Sequence, residues 1–419
     1  MSYFDPAALI LTIFVIGYLV IIYELYTRVN KAATAIFIAG ATWIILFATQ
    51  AVEKTNNDLI GYIADISQII FFLLAAMTLI EVMDAHKGFQ PINRYLKTRS
   101  KPLLLCMTSV FTFFLSAVLD NLTTTILMIS ILRKLIPEKK DRMIPLSMVV
   151  IAANAGGAWT PIGDVTTTML WIHEKITTYE VMAQLFIPSF VCLLIPLGIY
   201  SMFEKGRYPE VMASEEKKEP GSLVVLLVGL GALIMVPVLK ALTGLPPFMG
   251  ILLGLSVVWL ITDLLHHSDQ ERSHLKITHA LTRIDASGIL FFLGILLSVD
   301  ALGSVGILQE LAAALSTHLG GYTAIATAIG LISAFLDNVP IVAASMGMYD
   351  LPTNHPFWLL VAYTAGTGGS ILLIGSAAGV ALMGIEKIDF LDYLKKASLP
   401  ALMGYFGGIA VYLLQGYSS

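Results

Sequence analysis

Hydrophobic residues in this chain fall into long blocks separated by short charged breaks, with no stripe of one apolar face against one polar face. The blocks run over roughly 7–27, 32–52, 59–82, 102–132, 144–172, 183–203, 222–241, 247–265, 286–302, 319–349, 357–385 and 398–416. Most have about 20 residues, the length at which a helix crosses a hydrocarbon core of about 30 Å. Strands of a membrane barrel would alternate apolar and polar residues at every second position, and these blocks do not. The pattern predicts an all-α polytopic membrane protein.

Two blocks have an awkward length. The stretches 102–132 and 319–349 hold 31 residues each, whereas one crossing takes about 20 and two take about 40. Each carries a single charge, set in the same tripeptide: "SAVLDNLTTT" places Asp120 beside Asn121, and "SAFLDNVPIV" places Asp337 beside Asn338. The first is flanked by "KTRSK" and "RKLIPEKKDR", so both of its ends belong on one face. It predicts a re-entrant hairpin over 102–136 with Asp120 near the tip. The second has no basic flank and is expected to dip from the opposite face as a hairpin over 319–349.

The basic residues supply the orientation. Of the 25 Lys and Arg, 22 lie in the breaks near 28–31, 87–101, 133–142, 205–218, 272–283 and 387–396; the others are Lys54, Lys175 and Lys240. An excess of Lys and Arg marks cytoplasmic loops, which puts both termini on the other, periplasmic side. "MSYFDPAALI" carries Asp5 and no basic run, so it is expected to open a retained helix and not a cleaved signal.

The chain also repeats itself. "ANAGGAWTPIGD" (Ala153–Asp164) and "AGTGGSILLIGS" (Ala365–Ser376) align without gaps, and "EVMDAHKGF" resembles "LSVDALGSVG" further upstream. Each half then reads as three helices, a hairpin, an interrupted helix and a last helix. In the first half these are 7–27, 32–52, 59–82, the hairpin, 144–172 and 183–203. Five crossings are an odd number, so the second half is expected to be inverted relative to the first. The expected division is a first repeat over 1–204, a cytoplasmic linker over 205–220 and a second repeat over 221–419, with its broken helix at 357–385. Inverted repeats with discontinuous helices are a design of secondary transporters, whose sites lie where the repeats meet.

Composition fits this reading: 57% of residues are hydrophobic and 13% charged, against about 25% charged in soluble domains. The net charge of -4 adds little, and Cys106 and Cys192 both sit in apolar runs as packing residues. No GxxxxGK[ST] loop is present, so transport is expected to run on an ion gradient and not on ATP. No enzyme activity, cofactor or nucleic-acid partner is expected.

The candidate chemistry lies at the helix breaks. Gly156, Gly157, Pro161 and Gly163 interrupt one span, and Gly366, Gly368 and Gly369 loosen its counterpart. Non-helical backbone at that depth is tolerated where it is buried or lines a wet cavity. Asn154, Asp164, Thr166 and Thr167 cluster at the first break. Asp120, Asp164 and Asp337 are intramembrane carboxylates without a Lys or Arg in their own segments, and such groups are functional candidates by default. Oxygen ligands of this kind suit small hard cations. One carboxylate that holds either H⁺ or Na⁺ gives exchange by competition if only loaded forms cross. Glu81 and Asp300, at the membrane edges, are candidates for proton entry.

These motifs carry a family resemblance. "SAVLDNLTT", "SAFLDNVP", "NAGGAWTPIGDVTT" and "GTGGS" resemble NhaD-type sodium/proton antiporters of the ion transporter superfamily, over essentially the whole chain. The resemblance implies a Na⁺(Li⁺)/H⁺ exchanger of the bacterial inner membrane. It also implies a homodimer whose transport part moves like an elevator against a scaffold. Asp120, Asn121, Asn154, Asp164, Thr166 and Thr167 match the polar motif of the first half; Asp337, Asn338 and Ser370 match the second. Na⁺ is expected at Asp120, Asn121, Asp164 and Asp337. Relatives that carry dicarboxylates have Ser-Asn-Thr where this chain has Leu-Asp-Asn. A Na⁺-coupled transporter of a small anion such as citrate or arsenite would need an anion-binding group at the interface, where only helix N-termini are available. An intramembrane aspartyl protease would need a GxGD motif, and "PIGD" is not one.

Overall fold

A helix in lipid satisfies its own backbone, but every helix end at depth leaves N–H or C=O groups that something else must pair. Where the helices of this chain begin and end therefore decides its architecture. The computed structural model describes residues 5–90, 96, 98–209, 219, 221–266 and 274–416. Within them the chain is helical, apart from one isolated bridge between Ser100 and Arg207. Eight helices there are long and apolar enough to cross a membrane. Most of the linker, residues 210–218 and 220, lies outside the described residues.

The first half contains α1 (Pro6–Ile22), α2 (Lys31–Thr49), α3 (Val52–Ala85), α4 (Lys101–Leu119), α5 (Asn121–Leu135), α6 (Lys139–Gly157), α7 (Val165–Ile172) and α8 (Thr178–Phe203). The second contains α9 (Ser222–Thr243), α10 (Pro247–Leu265), α11 (Ala286–Ser304), α12 (Ile307–Leu319), α13 (Tyr322–Ser333), α14 (Asn338–Met348), α15 (Pro356–Gly368), α16 (Ala377–Glu386) and α17 (Phe390–Leu414). Both long blocks are broken at their aspartates: α4 stops at Leu119 and α5 starts at Asn121, while α13 stops at Ser333 and α14 starts at Asn338. Both interrupted spans are broken at their glycine-rich stretches, between α6 and α7 and between α15 and α16.

Three elements differ from the sequence expectation. Helix α3 starts at Val52, not near residue 59, and its 34 residues make a rod of about 51 Å. Its charged first turns extend a helix that hydropathy alone truncates. Helix α12 was unforeseen. It is amphipathic, and α13 turns away from it by 113°, so its polar positions read as a break in the apolar pattern. Nor does hydropathy foretell a histidine pair at the ends of α3 and α10. His86 and His266 are both buried, with their Nε2 atoms 3.0 Å apart, and burial lowers the pKa of His86 from its ordinary value. His267 lies outside the described residues.

The helices pack in two sets. Helix α2 packs along α11 and α1, and α3 packs against α9, α10 and α11. In the other set α6 packs against α4, α5 and α8, α15 against α13, α14 and α17, and α8 runs along α17. The sets meet where α14 touches α11 and where α7 touches α3. At one end of the second set, Glu386 on α16 is buried between Arg133 of α5 and Arg142 of α6, with Arg142 Nη2 at 3.1 Å. Arg142 also donates to the carbonyls of Ile136 and Pro137, at 2.6 and 2.5 Å. Charge and hydrogen-bond partners are thus supplied together, as a buried ion pair requires.

Helix α4 is stitched to α6, and α13 to α15, by the same two contacts. Ser116 donates to the Ala153 carbonyl at 2.7 Å, and Ser333 to the Ala365 carbonyl at 2.8 Å. One turn on, a Cβ on Gly156 would lie 2.1 Å from the Phe113 carbonyl oxygen, and a Cβ on Gly368 would lie 2.1 Å from that of Gly330. Backbone faces backbone at both crossings, so only glycine fits. Gly156→Ala and Gly368→Ala are each expected to cost about 3 kcal/mol, the upper end for overpacking. The cost should appear as a lowered melting temperature of the detergent-solubilised protein. Gly198→Ala, with nothing within 4 Å of its Cβ, is the control. An unchanged melting temperature in either tight variant would contradict the crossing.

Candidate functional site

Four helices begin inside the protein, and each has an oxygen-bearing side chain at its head. Asp120 caps α5, accepting from the Thr123 amide at 2.8 Å and the Thr123 hydroxyl at 2.9 Å. Asp164 caps α7 through Oδ1, which accepts from the Thr166 amide at 2.9 Å and hydroxyl at 2.8 Å. Asp337 caps α14 more loosely, with the Val339 amide at 3.4 Å. Ser376 caps α16 through the Gly379 amide at 3.3 Å. Aspartate and serine are preferred at this position because they satisfy amides that the helix leaves unpaired. The partial positive charge at a helix N-terminus offsets the carboxylate charge.

Asp164 is the centre. It is 1% exposed, and the first residues of both α5 and α14 reach it. Asn121 donates to its Oδ2 at 2.6 Å, and Asn338 donates to Oδ1 at 3.3 Å and Oδ2 at 3.5 Å. Asn121 also donates to Asn154 Oδ1 at 3.0 Å, and Asn154 donates to Ser376 Oγ at 3.0 Å. One hydrogen-bonded chain therefore joins Ser376, Asn154, Asn121, Asp164 and Asn338, linking the heads of α5, α7, α14 and α16 to the end of α6. On α15, a side chain at Gly366 would start 3.9 Å from Asp164 Oδ2.

Asp120 and Asp337 sit to one side, on a cavity whose lining includes Lys31, Thr123, Asp285 and Phe291. Asp164 lies within electrostatic reach of both acids. Asp120 holds φ 84°, ψ 161°, a backbone region that costs a non-glycine residue of order 1–3 kcal/mol. Asp337 has an ordinary φ of -56°, so the two tips are alike in sequence and unlike in backbone.

The remaining expectations divide. Thr166 donates to the Asp164 carboxylate, whereas Thr168 is the threonine that bonds back to a helix carbonyl. The Thr167 hydroxyl is buried with no hydrogen-bond partner among the described residues, and so are those of Thr124 and Thr125. Ser370 is buried, but its hydroxyl donates to the Thr367 carbonyl at 2.6 Å and is recorded on neither the acids nor the asparagines. Glu81 lies 3.3 Å from Arg283, and Asp300 is in electrostatic contact with Asp65; neither lines the cavity. Lys31 and Asp285 escaped the sequence reading. Asp337 is not free of cations as its own segment suggested, because Lys31 of α2 approaches its Oδ2 to 3.6 Å.

Comparison with known proteins bears on the same elements. A family described as "Citrate transporter" matches residues 18–366. "Sodium/proton antiporter 1" of Arabidopsis thaliana is 51% identical over 96% of this chain and 71% of its own length. "Sodium/proton antiporter 2" of the same plant is 47% identical over 96% and 98%. The "Na(+)/H(+) antiporter NhaD" of Alkalimonas amylolytica is 31% identical over 96% and 89%. The chain belongs to the NhaD-type sodium/proton antiporter family. Its place there extends over the hairpins, the broken helices and the helices that pack around them, since the matches cover nearly the whole chain.

In this NhaD-type chain the two asparagines hold Asp164 unequally. Asn121→Ala removes two short hydrogen bonds and leaves buried partners unpaired, at a cost of about 2–3 kcal/mol. Asn338→Ala removes only the long contacts, at under about 1 kcal/mol. Melting temperatures in detergent should fall further for Asn121→Ala. Equal losses, or the reverse order, would contradict the geometry at Asp164.

Proposed function

We propose that this protein exchanges Na⁺, and Li⁺, for H⁺ across its membrane by competition at buried carboxylates. One observation carries the reading: Asp164, almost wholly buried at the head of α7, is met by Asn121 and Asn338 at the heads of α5 and α14. The relatives named sodium/proton antiporters cover nearly all of the chain. Asp164, Asp120 and Asp337 hold the ion. Asn121, Asn154, Asn338, Thr166 and Thr167 surround it, and Ser370 stands further back. The Asn amides present nitrogen to Asp164 here; turned over, the same side chains present oxygen to a cation. The buried hydroxyl of Thr167 is a further oxygen close to Asp164 in the chain.

Competition follows from charge. A bare carboxylate is costly to carry across a bilayer, while one neutralised by H⁺ or Na⁺ is not. If only neutralised forms cross, each Na⁺ moved one way is exchanged for protons moved the other. The cavity beside the site favours cations, with Asp120, Asp285 and Asp337 against Lys31 alone. An anion such as citrate would meet three acids there, and so the broad family description does not redirect the reading.

The proposal includes an inverted repeat of two five-crossing halves, 1–204 and 221–419, joined by the linker 205–220. The matching serine and glycine contacts at the two hairpin crossings support it. It includes an elevator movement of the set containing α4–α8 and α13–α17 against the set containing α1–α3 and α9–α11, with both termini periplasmic. Homodimerisation rests on the family likeness alone. Insertion as a multi-pass membrane protein is common ground. The bacterial inner membrane rests on the bacterial relatives, although the two plant proteins are more similar to this chain.

In everted vesicles with a pH probe, Na⁺ and Li⁺ are expected to evoke proton movement and K⁺ at the same concentration much less. Asp120→Asn and Asp337→Asn should abolish the response while the protein still inserts; full exchange by either would remove that acid from the site. Single cysteines beside the two hairpins should react with a membrane-impermeant thiol reagent from opposite faces. Labelling from one face alone would end the inverted repeat.

A further inference from the structure

Asp337 is the least satisfied of the three acids. Asp164 receives short hydrogen bonds from an amide, a hydroxyl and Asn121, and Asp120 receives two below 3 Å. Asp337 has the Val339 amide at 3.4 Å and, across the cavity, the Lys31 ammonium at 3.6 Å. That approach is longer than the 2.7–2.9 Å or so of a tight charge-assisted hydrogen bond. Lys31 is held from behind: Asn30 caps α2, the Lys31 amide donates to Glu24 Oε1 at 3.1 Å, and Nζ lies 4.5 Å from the centre of the Phe291 ring. The Lys31 and Asp337 side chains are 28% and 18% exposed, so water reaches the pair. The Lys31 backbone is anchored, and its ammonium rests near Phe291, only loosely engaged with its carboxylate.

We propose that Lys31 is a tethered counter-cation for Asp337, occupying the place that an arriving Na⁺ must take and thereby setting the apparent Na⁺ affinity. The inference rests on the sodium/proton reading above. Two unit positive charges cannot share one carboxylate oxygen without repulsion, so Na⁺ binding at Asp337 displaces the ammonium. The displaced Lys31 keeps counter-charges, because Asp120 and Asp285 line the same cavity. The pair also joins the two helix sets, with Lys31 at the head of α2 and Asp337 at the head of α14. Loss of a merely structural contact would leave Na⁺ affinity unchanged or weaken it. Loss of a competitor strengthens it.

The test titrates Na⁺ at fixed pH and ionic strength in everted vesicles containing the full-length protein. Lys31→Gln is expected to lower the half-saturating Na⁺ concentration about twofold to fivefold, the range of a partly exposed ion pair. Lys31→Arg, which keeps the charge, should hold it at or above the wild-type value. An unchanged or raised half-saturation in Lys31→Gln overturns the proposal, and so does a lowered one in Lys31→Arg. The arginine variant therefore decides the matter even if the neutral one fails to insert. Wild-type protein without Na⁺-evoked proton movement would instead sink the antiport reading. Lys31 is then read from the Na⁺ dependence of the melting temperature in detergent, which needs binding and not exchange. There the glutamine variant must reach half its shift at lower Na⁺ than wild type.

Discussion

A helix that starts in the middle of a membrane protein exposes amides that no lipid can pair, and this chain starts four helices there. The amides at the heads of α5, α7, α14 and α16 are met by Asp120, Asp164, Asp337 and Ser376. Leaving such groups unpaired costs several kcal/mol each in hydrocarbon. The carboxylates are thus required by the architecture before any ion is considered. Capping and ion binding are often weighed as rival explanations for a buried aspartate, yet here one leads to the other. A cap uses one or two lone pairs, and a carboxylate has about four. What remains on Asp164 faces Asn121 and Asn338.

The same requirement orders the surroundings. Caps at depth are useful only if the broken ends come together, which needs backbones to cross closely, and Gly156 and Gly368 permit the crossing. The ends must then be locked to one another, which the chain from Ser376 through Asn154 and Asn121 to Asp164 achieves. Farther out, Glu386 between Arg133 and Arg142 ties the hairpin of one half to the broken helix of the other. The two halves are not equal, because Asp164 stands where the other half has Ser376. A single carboxylate at the crossing avoids two like charges in hydrogen-bond range of the same asparagines.

Much of this was legible in the sequence. Asp120 and Asp337 were visible because each is the only charge in a 31-residue apolar block, and because that length is too long for one crossing and too short for two. The broken helices showed through Pro161 and the paired glycines. Hydropathy failed where polarity is used for something other than an exit from the membrane. The first turns of α3 are charged yet helical, and α12 shows one polar face, so both read as breaks. The capping role of the acids was missed because a cap is defined by amides two or three residues ahead, and composition treats those amides as interchangeable. Lys31 was invisible for another reason: it is 306 residues from Asp337, and no local window joins them. Ser370 shows the converse, since its place in a motif did not decide where its hydroxyl points.

Charge and architecture come together in what can cross the membrane. On the elevator reading, Asp120, Asp164 and Asp337 travel with the set that carries the hairpins, while Lys31 stays with α2. An empty carrier would then move bare carboxylates and also draw Asp337 away from its ammonium. Both steps oppose crossing, the first through desolvation and the second through lost attraction. With Na⁺ or H⁺ on the acids, the travelling set is closer to neutral and Lys31 has already been displaced. Occupancy by a cation therefore removes both obstacles at once. Strict exchange needs that condition, and on this reading it follows from where one lysine is anchored.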